Sequence, residues 1–229
     1  IEMLGLFTFP LLFLALGRLW DGGWLLSKPA GLLLLAYLAW LPPSLHWAIF
    51  TRREIAGAAI VVAAAGAVAL LLQWTRVSGF VRDNWRRMAM AEAVFAAAFI
   101  FFFILRSANP DLWHPSMGGE KPMDFAFLNA TLKTSYFPPY DPWYAGGYIN
   151  YYYFGFVIVG ALTKLLGIVP AVAYNLSVGV LPAFSAIGAF SVVASIVAWK
   201  RRDRIILSVE RRVPVPEAVG DASLDAQHD

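Results

Sequence analysis

The chain of 229 residues contains no cysteine and little charge, with Asp, Glu, Lys and Arg making up only 14% of it. The first absence excludes a disulfide framework, a thiol nucleophile and a cysteine-ligated zinc or iron–sulfur centre. The three histidines, His46, His114 and His228, are too scattered to form a ligand motif. Also missing from the sequence are a Gly-rich phosphate loop, a dinucleotide fingerprint, a G-x-S-x-G elbow and an internal repeat. Soluble domains carry ~25% charged residues, so the low charge and the 59% hydrophobic content place this chain among membrane proteins. Its fold class is expected to be all-α, a polytopic integral membrane protein with about six transmembrane helices and one ordered interfacial loop. The excess of +3 charges is too small and too dispersed to mark a nucleic-acid partner.

What is present is best read from the gaps between charges, because a hydrocarbon core ~30 Å thick needs ~20 apolar helical residues. Glu2 to Arg18 encloses 15 uncharged residues, Lys28 to Arg52 encloses 23, Glu54 to Arg76 encloses 21 and Asp141 to Lys164 encloses 22. The first run is short for a crossing, and since the chain opens at Ile1 a few residues are expected to be missing from its outer end. A fourth span is expected from Met88 to Leu105. It contains Glu92, whose burial at a helix centre would cost roughly 2.5 to 3.5 kcal/mol. Near one end of that span, Glu92 can snorkel, pair with Arg86 or Arg87, or serve a polar pocket between helices. The run Leu165 to Trp199 should break at Gly167 and Pro170, with Pro182 kinking a long sixth helix. The Ala/Gly-rich span Ile55 to Leu72 reads as helix-packing surface. Four regions result: a four-helix membrane region (1–106), a motif loop (107–147), two further membrane helices (148–199) and a charged, disordered tail (200–229).

Positive-inside counting gives two conflicting answers. Four arginines between Arg76 and Arg87 place that segment in the cytoplasm and the net-acidic loop from Ser107 to Gly147 outside. Six clean crossings would then put the six Lys/Arg of the segment from Lys200 to Arg212 outside as well. Local density favours the loop as extracytoplasmic.

That loop holds four acids, Asp111, Glu120, Asp124 and Asp141, against Lys121 and Lys133. Loops longer than ~12 to 15 residues are usually functional or disordered, and the abundance of proline and aromatics here argues for an ordered cap. Gly118 and Gly119 permit a turn, and Pro122 suits the first turn of a helix, which would put Glu120 and Asp124 on one face. Such a pair can accept a proton from a hydroxyl, hold a divalent cation, or pair with nearby lysines and cap the helix. Beyond it, Tyr136 to Gly155 is stiffened by Pro138, Pro139 and Pro142 and carries the triplet Tyr151, Tyr152 and Tyr153 next to Asn150. An aromatic belt at the headgroup level accounts for much of this composition. Three successive helical tyrosines point about 100° apart, so at least one hydroxyl must turn into the protein and find a partner.

The runs EKPMDFAFLN, FPPYDPWYAGG and INYYYFG resemble the YYY-domain family of prokaryotic membrane proteins, with further matches at Arg106 to His114, Glu92 to Phe95, Asp21 to Trp24, Ser27-Lys28, Gly167 to Pro170 and Ala173 to Leu176. That family is in turn similar to the C-type glycosyltransferase superfamily, which moves a sugar from a polyprenyl-phosphate donor. The resemblance implies that an acid of the external loop acts as general base or metal ligand. Asp124 is the first choice, being deeper in the expected helix, and Glu120 the second. Lys121 would offset donor phosphate charge. His114, Tyr151, Tyr152 and Tyr153 would supply hydrogen-bond donors, with Asp141 and Asn150 in the same substrate-binding rim. A divalent cation is the candidate cofactor. The implied partners are the bilayer, a polyprenyl-phosphate sugar and further C-terminal helices, since family members continue beyond the matched region. The chain therefore reads as the amino-terminal part of a longer protein. The competing reading is a non-catalytic membrane component, a transporter subunit or an envelope scaffold whose aromatic loop binds a partner.

Overall fold

A computed structural model describes residues 1–109, 119–150 and 152–210, with side chains placed as far as Arg201. Seven helices follow in order: α1 (Glu2–Leu16), α2 (Trp24–Ser44), α3 (Arg52–Leu72), α4 (Trp74–Ser107), α5 (Lys121–Lys133), α6 (Tyr153–Leu166) and α7 (Pro170–Glu210). Among the described residues there is no strand, only an isolated bridge between Tyr140 and Tyr148. The all-α expectation holds.

Local chemistry sets several boundaries. Thr51 caps α3 by accepting a hydrogen bond from the Glu54 amide at 3.3 Å, the Thr-x-x-Glu arrangement of a capping box. Gly167, at φ +68°, closes α6 in the left-handed conformation that side chains resist, and Pro170 opens α7 where its missing N–H is no loss. Two boundaries differ from expectation. Helix α4 runs 34 residues and includes the Arg76–Arg87 segment, which continues the helix beyond its apolar part. Helix α7 continues to Glu210, so residues 200–210, expected in the tail, are helical.

Among the described residues, four helices are long and apolar enough to cross a membrane: α2, α3, α4 and α7 as far as Arg201. The apolar helices α1 and α6 are shorter, at 15 and 14 residues. For α6 the side-chain contacts explain why the long uncharged run from Asp141 to Lys164 does not form a full-length span. At one end the Tyr153 hydroxyl accepts from Trp40 Nε1 at 3.0 Å, near the end of α2. At the other, Lys164 Nζ donates to the Phe50 carbonyl in the α2–α3 connection. Both ends of α6 are therefore tied to the same end of the α2–α3 pair.

Helices α4 and α7 run antiparallel. Phe95 stacks on Phe184 at 6.0 Å, Gly179 faces Phe99 and Phe103, and Arg106 meets Asn175. Following this register, Arg76–Arg87 at the start of α4 and Lys200–Arg201 on α7 fall toward one end of the molecule, while α5 and α6 cap the other. The conflict in the charge counts disappears once α6 is not counted as a crossing.

The Ala/Gly-rich α3 is packing surface, as its composition suggests. A Cβ on Gly66 would sit 1.9 Å from the Phe7 carbonyl oxygen, so the α1 backbone lies directly on this residue. Gly66→Leu is expected to force α1 and α3 apart and cost about 1 to 3 kcal/mol or more. Thermal unfolding in detergent checks this, with the exposed Gly57, which has open space around its Cβ position, as the neutral control for the same substitution.

A polar cluster ties α1, α2 and α4 together. Lys28 is fully buried, and its Nζ lies 2.7 Å from Glu2 Oε2 and 2.6 Å from Glu92 Oε1. The Trp24 indole N–H also donates to Glu92 Oε1 at 2.5 Å, and the ammonium stands 4.7 Å from the Trp24 ring centroid. Glu92 thus occupies an interhelical polar pocket, and its partner is Lys28 rather than Arg86 or Arg87. Asp21, also fully buried, accepts from the Gly23 and Leu25 amides at 3.2 and 2.9 Å and from the Ser191 hydroxyl at 3.2 Å, joining the start of α2 to α7.

Candidate functional site

Helix α5 begins at a turn that Gly119 makes possible with φ +56°, and Pro122 stands in its first turn. Glu120 is the N-cap, its carbonyl accepting from the Asp124 amide at 3.0 Å, and its side chain is exposed. Asp124 lies one turn on and is partly buried. The Tyr174 hydroxyl, from the start of α7, faces its Oδ2 at 3.5 Å, the long limit of a hydrogen bond. Burial pushes the Asp124 carboxyl above the usual carboxylate range, the negative charge of Glu120 adds to this, and the Tyr174 hydrogen bond opposes both.

Behind Tyr174 stands the buried Arg106 at the end of α4. Its Nε donates to Asn175 Oδ1 at 2.7 Å and its Nη1 to the Asn109 carbonyl at 2.8 Å, with the guanidinium 6.0 Å from the Tyr174 ring. The ring of Phe125 meets Tyr174 edge-on at 5.9 Å. The ends of α4, α5 and α7 are thereby locked around one carboxylate.

Asp124 and Tyr174 stand at the rim of a groove of about 350 Å³ whose walls are otherwise mostly apolar, among them Leu128, Phe156, Val159 and Leu181. A second, almost wholly apolar cavity of about 240 Å³ shares Val159, Ser177 and Leu181 with it and continues to Leu162 and Phe99. A titratable group lining an otherwise mostly apolar groove suits a ligand with a polar head and a hydrocarbon chain.

The sequence-derived candidates separate in space. Tyr152 lines the groove with Asp124, and Lys121 sits at the same helix start. Tyr153 turns away to Trp40 and stacks on Phe137 at 5.9 Å, so its hydroxyl finds a partner inside the protein. Tyr152 is the N-cap of α6 and only Tyr153 is helical among the described members of the triplet. Asp141 serves a turn, accepting from the Trp143 amide at 2.8 Å, and Asn150 is exposed; neither lines the groove. His114 and Tyr151 lie outside the described residues. Among the described residues no three His, Asp or Glu side chains gather to hold a metal.

Tyr174, Asn175 and Arg106 had no assigned role in the sequence, although all three fall in the motif runs. The signal was a polar residue at the edge of each apolar run, yet 50 residues separate Asp124 from Tyr174. The packing of α5 on α7 brings these two together, and the antiparallel pairing of α4 with α7 adds Arg106.

A family model described as uncharacterized membrane protein (DUF2298) matches residues 34–219. The chain belongs to DUF2298. The matched region of this DUF2298 chain includes most of α2 and all of α3 to α7, hence Arg106, Asp124, Tyr152 and Tyr174, whereas Glu2, Asp21 and Lys28 precede it. No curated protein and no solved structure matches the chain. Membership establishes an integral membrane protein, and the chemistry must be argued from the site.

Proposed function

We propose that this DUF2298 chain carries the donor end of a membrane glycosyltransferase that uses a lipid-phosphate-linked sugar, with Asp124 as general base. The observation that carries the reading is the partly buried Asp124, faced by Tyr174, lining the mostly apolar groove between α5, α6 and α7. The hydrocarbon chain of the donor would lie along Phe156, Val159 and Leu181, with its phosphate near Lys121 at the start of α5. Asp124 takes the proton of the acceptor hydroxyl as the acceptor oxygen bonds to the anomeric carbon. The bond from that carbon to the phosphate oxygen breaks, and the lipid phosphate leaves with the electron pair. Tyr174 holds the carboxylate in position between α5 and α7, and the Arg106–Asn175 pair holds Tyr174. The likeness of the motif runs to the YYY-domain family and the C-type glycosyltransferases supports the same assignment.

The groove end is placed on the extracytoplasmic side. With Arg76–Arg87 and Lys200–Arg201 toward the opposite end, this orientation satisfies the positive-inside rule.

The pH profile tests the role of Asp124. A general base must be deprotonated, so transfer falls as pH drops through its raised pKa. Glu120→Gln removes a charge that raises this pKa and is expected to move the acid limb of kcat/KM to lower pH. Tyr174→Phe removes a hydrogen bond that lowers it and is expected to move the limb to higher pH. Measured on sugar transfer in membranes, unshifted limbs in both variants would refute the assignment.

A further inference from the structure

A second cavity, of about 410 Å³, lies at the other end of α5, between the α2–α3 connection and the loop that follows Lys133. Its walls carry two pairs of parallel rings. His46 stacks on Tyr136 at 4.8 Å and 19°, and Tyr140 stacks on Tyr148 at 4.6 Å and 20°. All four rings are exposed, although a folding chain would gain by burying them. The backbone makes this arrangement rigid. The Asp141 amide donates to the Gly147 carbonyl at 3.0 Å and the Ile149 amide to the Pro139 carbonyl at 2.8 Å, which fixes Tyr140 against Tyr148. On the other wall the Phe50 amide donates to the Ser135 carbonyl at 2.9 Å, which joins the α2–α3 connection to the loop. His46 has φ +59°, a left-handed conformation that costs a histidine energy, and it is held there beside the cavity.

Polar groups accompany the rings. The Tyr140 and Tyr148 hydroxyls are 3.3 Å apart, Ser135 and Thr134 add hydroxyls, and the ammonium of Lys133, on the last turn of α5, lines the cavity without an ion-pair partner among the described residues. Flat ring faces match the apolar C–H face of a pyranose, hydroxyls match its equatorial oxygens, and a lone ammonium is satisfied by an anion. We infer that this cleft, framed by His46, Lys133, Tyr136, Tyr140 and Tyr148, binds a sugar ring bearing a negative charge, as in an acidic oligosaccharide. The site is separate from the Asp124 groove: Lys133 follows Asp124 by nine residues, half a rotation around α5 and roughly 13 Å along it. Its occupancy does not depend on the transferase reading.

The experiment is a titration of the detergent-solubilised protein with trigalacturonate, read by tyrosine and tryptophan fluorescence and by calorimetry, beside neutral maltotriose and the non-sugar trianion citrate. Saturable binding of trigalacturonate is expected, about tenfold tighter than that of maltotriose or citrate, and about tenfold weaker in Lys133→Gln. Tyr140→Ala is expected to weaken both sugars alike. Lys133 is exposed at a helix end, so its variant should keep the wild-type melting temperature, which separates lost binding from lost fold. No saturable binding of trigalacturonate overturns the inference, as does equal binding of maltotriose or citrate, or binding unaffected by Lys133→Gln.

Discussion

Asp124→Asn is expected to lower sugar transfer from a polyprenyl-phosphate donor by about 10² to 10⁴-fold while leaving donor binding in place. The asparagine keeps the volume of the carboxylate and can still accept from the Tyr174 hydroxyl, so the link between α5 and α7 survives. What it cannot do is accept the proton of the acceptor hydroxyl. The loss should therefore fall on kcat, since the donor chain sits against Phe156, Val159 and Leu181 rather than against Asp124. Glu120→Gln should lose far less, because Glu120 is exposed at the N-cap and acts on the site only through its charge. Single-turnover transfer in membranes containing each variant checks both expectations. Wild-type rates in Asp124→Asn would sink the assignment and favour the non-catalytic reading of the loop.

The largest effect on stability is expected at Lys28. Lys28→Met removes the ammonium that lies within 2.7 Å of both Glu92 and Glu2 and leaves the Trp24 indole N–H donating to Glu92. Breaking a fully buried pair from one side costs about 3 to 5 kcal/mol. Here the surviving Glu92 and Glu2 side chains are 35% and 56% exposed, so the loss is expected at the lower end of that range. Three helices meet at this ammonium, so the loss should appear as loosened packing of α1 and α4 against α2. The double variant Lys28→Met with Glu92→Gln should recover part of the loss, since the carboxylate that lost its cation at position 92 is then removed as well. Melting in detergent, followed by tryptophan fluorescence, gives the two single-variant values and their coupling. Additive losses would show that the two residues do not act as a pair.

Composition and charge gaps were enough to read the class of fold, the breaks at Gly167 and Pro170, and the packing role of α3. About six crossings were expected from them, whereas among the described residues four helices are long and apolar enough to cross, and α6 shows the physical reason for the difference. An uncharged run such as Asp141 to Lys164 is apolar enough for a span, but Tyr153 bonding to Trp40 and Lys164 bonding to Phe50 commit α6 to one end of the bundle. Neither bond is visible in a hydropathy pattern. Glu92 shows the same limit, since its neighbours in sequence, Arg86 and Arg87, were the natural partners to expect, whereas Lys28, 64 residues away, is the partner found. The site was half legible. Asp124, Glu120, Lys121 and Tyr152 follow from the motif runs, but Asp141 is spent on a turn, Tyr153 on the α2 contact, and Tyr174 with Arg106 emerges only from the pairing of α4 with α7.

The central claim is that the groove ending at Asp124 holds a lipid-phosphate sugar, and direct binding of the donor tests it without needing the acceptor. Val159 lines both apolar cavities, so Val159→Trp should fill the channel where the hydrocarbon chain would lie. Equilibrium binding of a radiolabelled polyprenyl-phosphate hexose to the purified protein is expected to be saturable in the wild type, retained in Asp124→Asn and lost in Val159→Trp. Absence of saturable binding across a panel of such hexoses, or equal binding by Val159→Trp, would contradict the account.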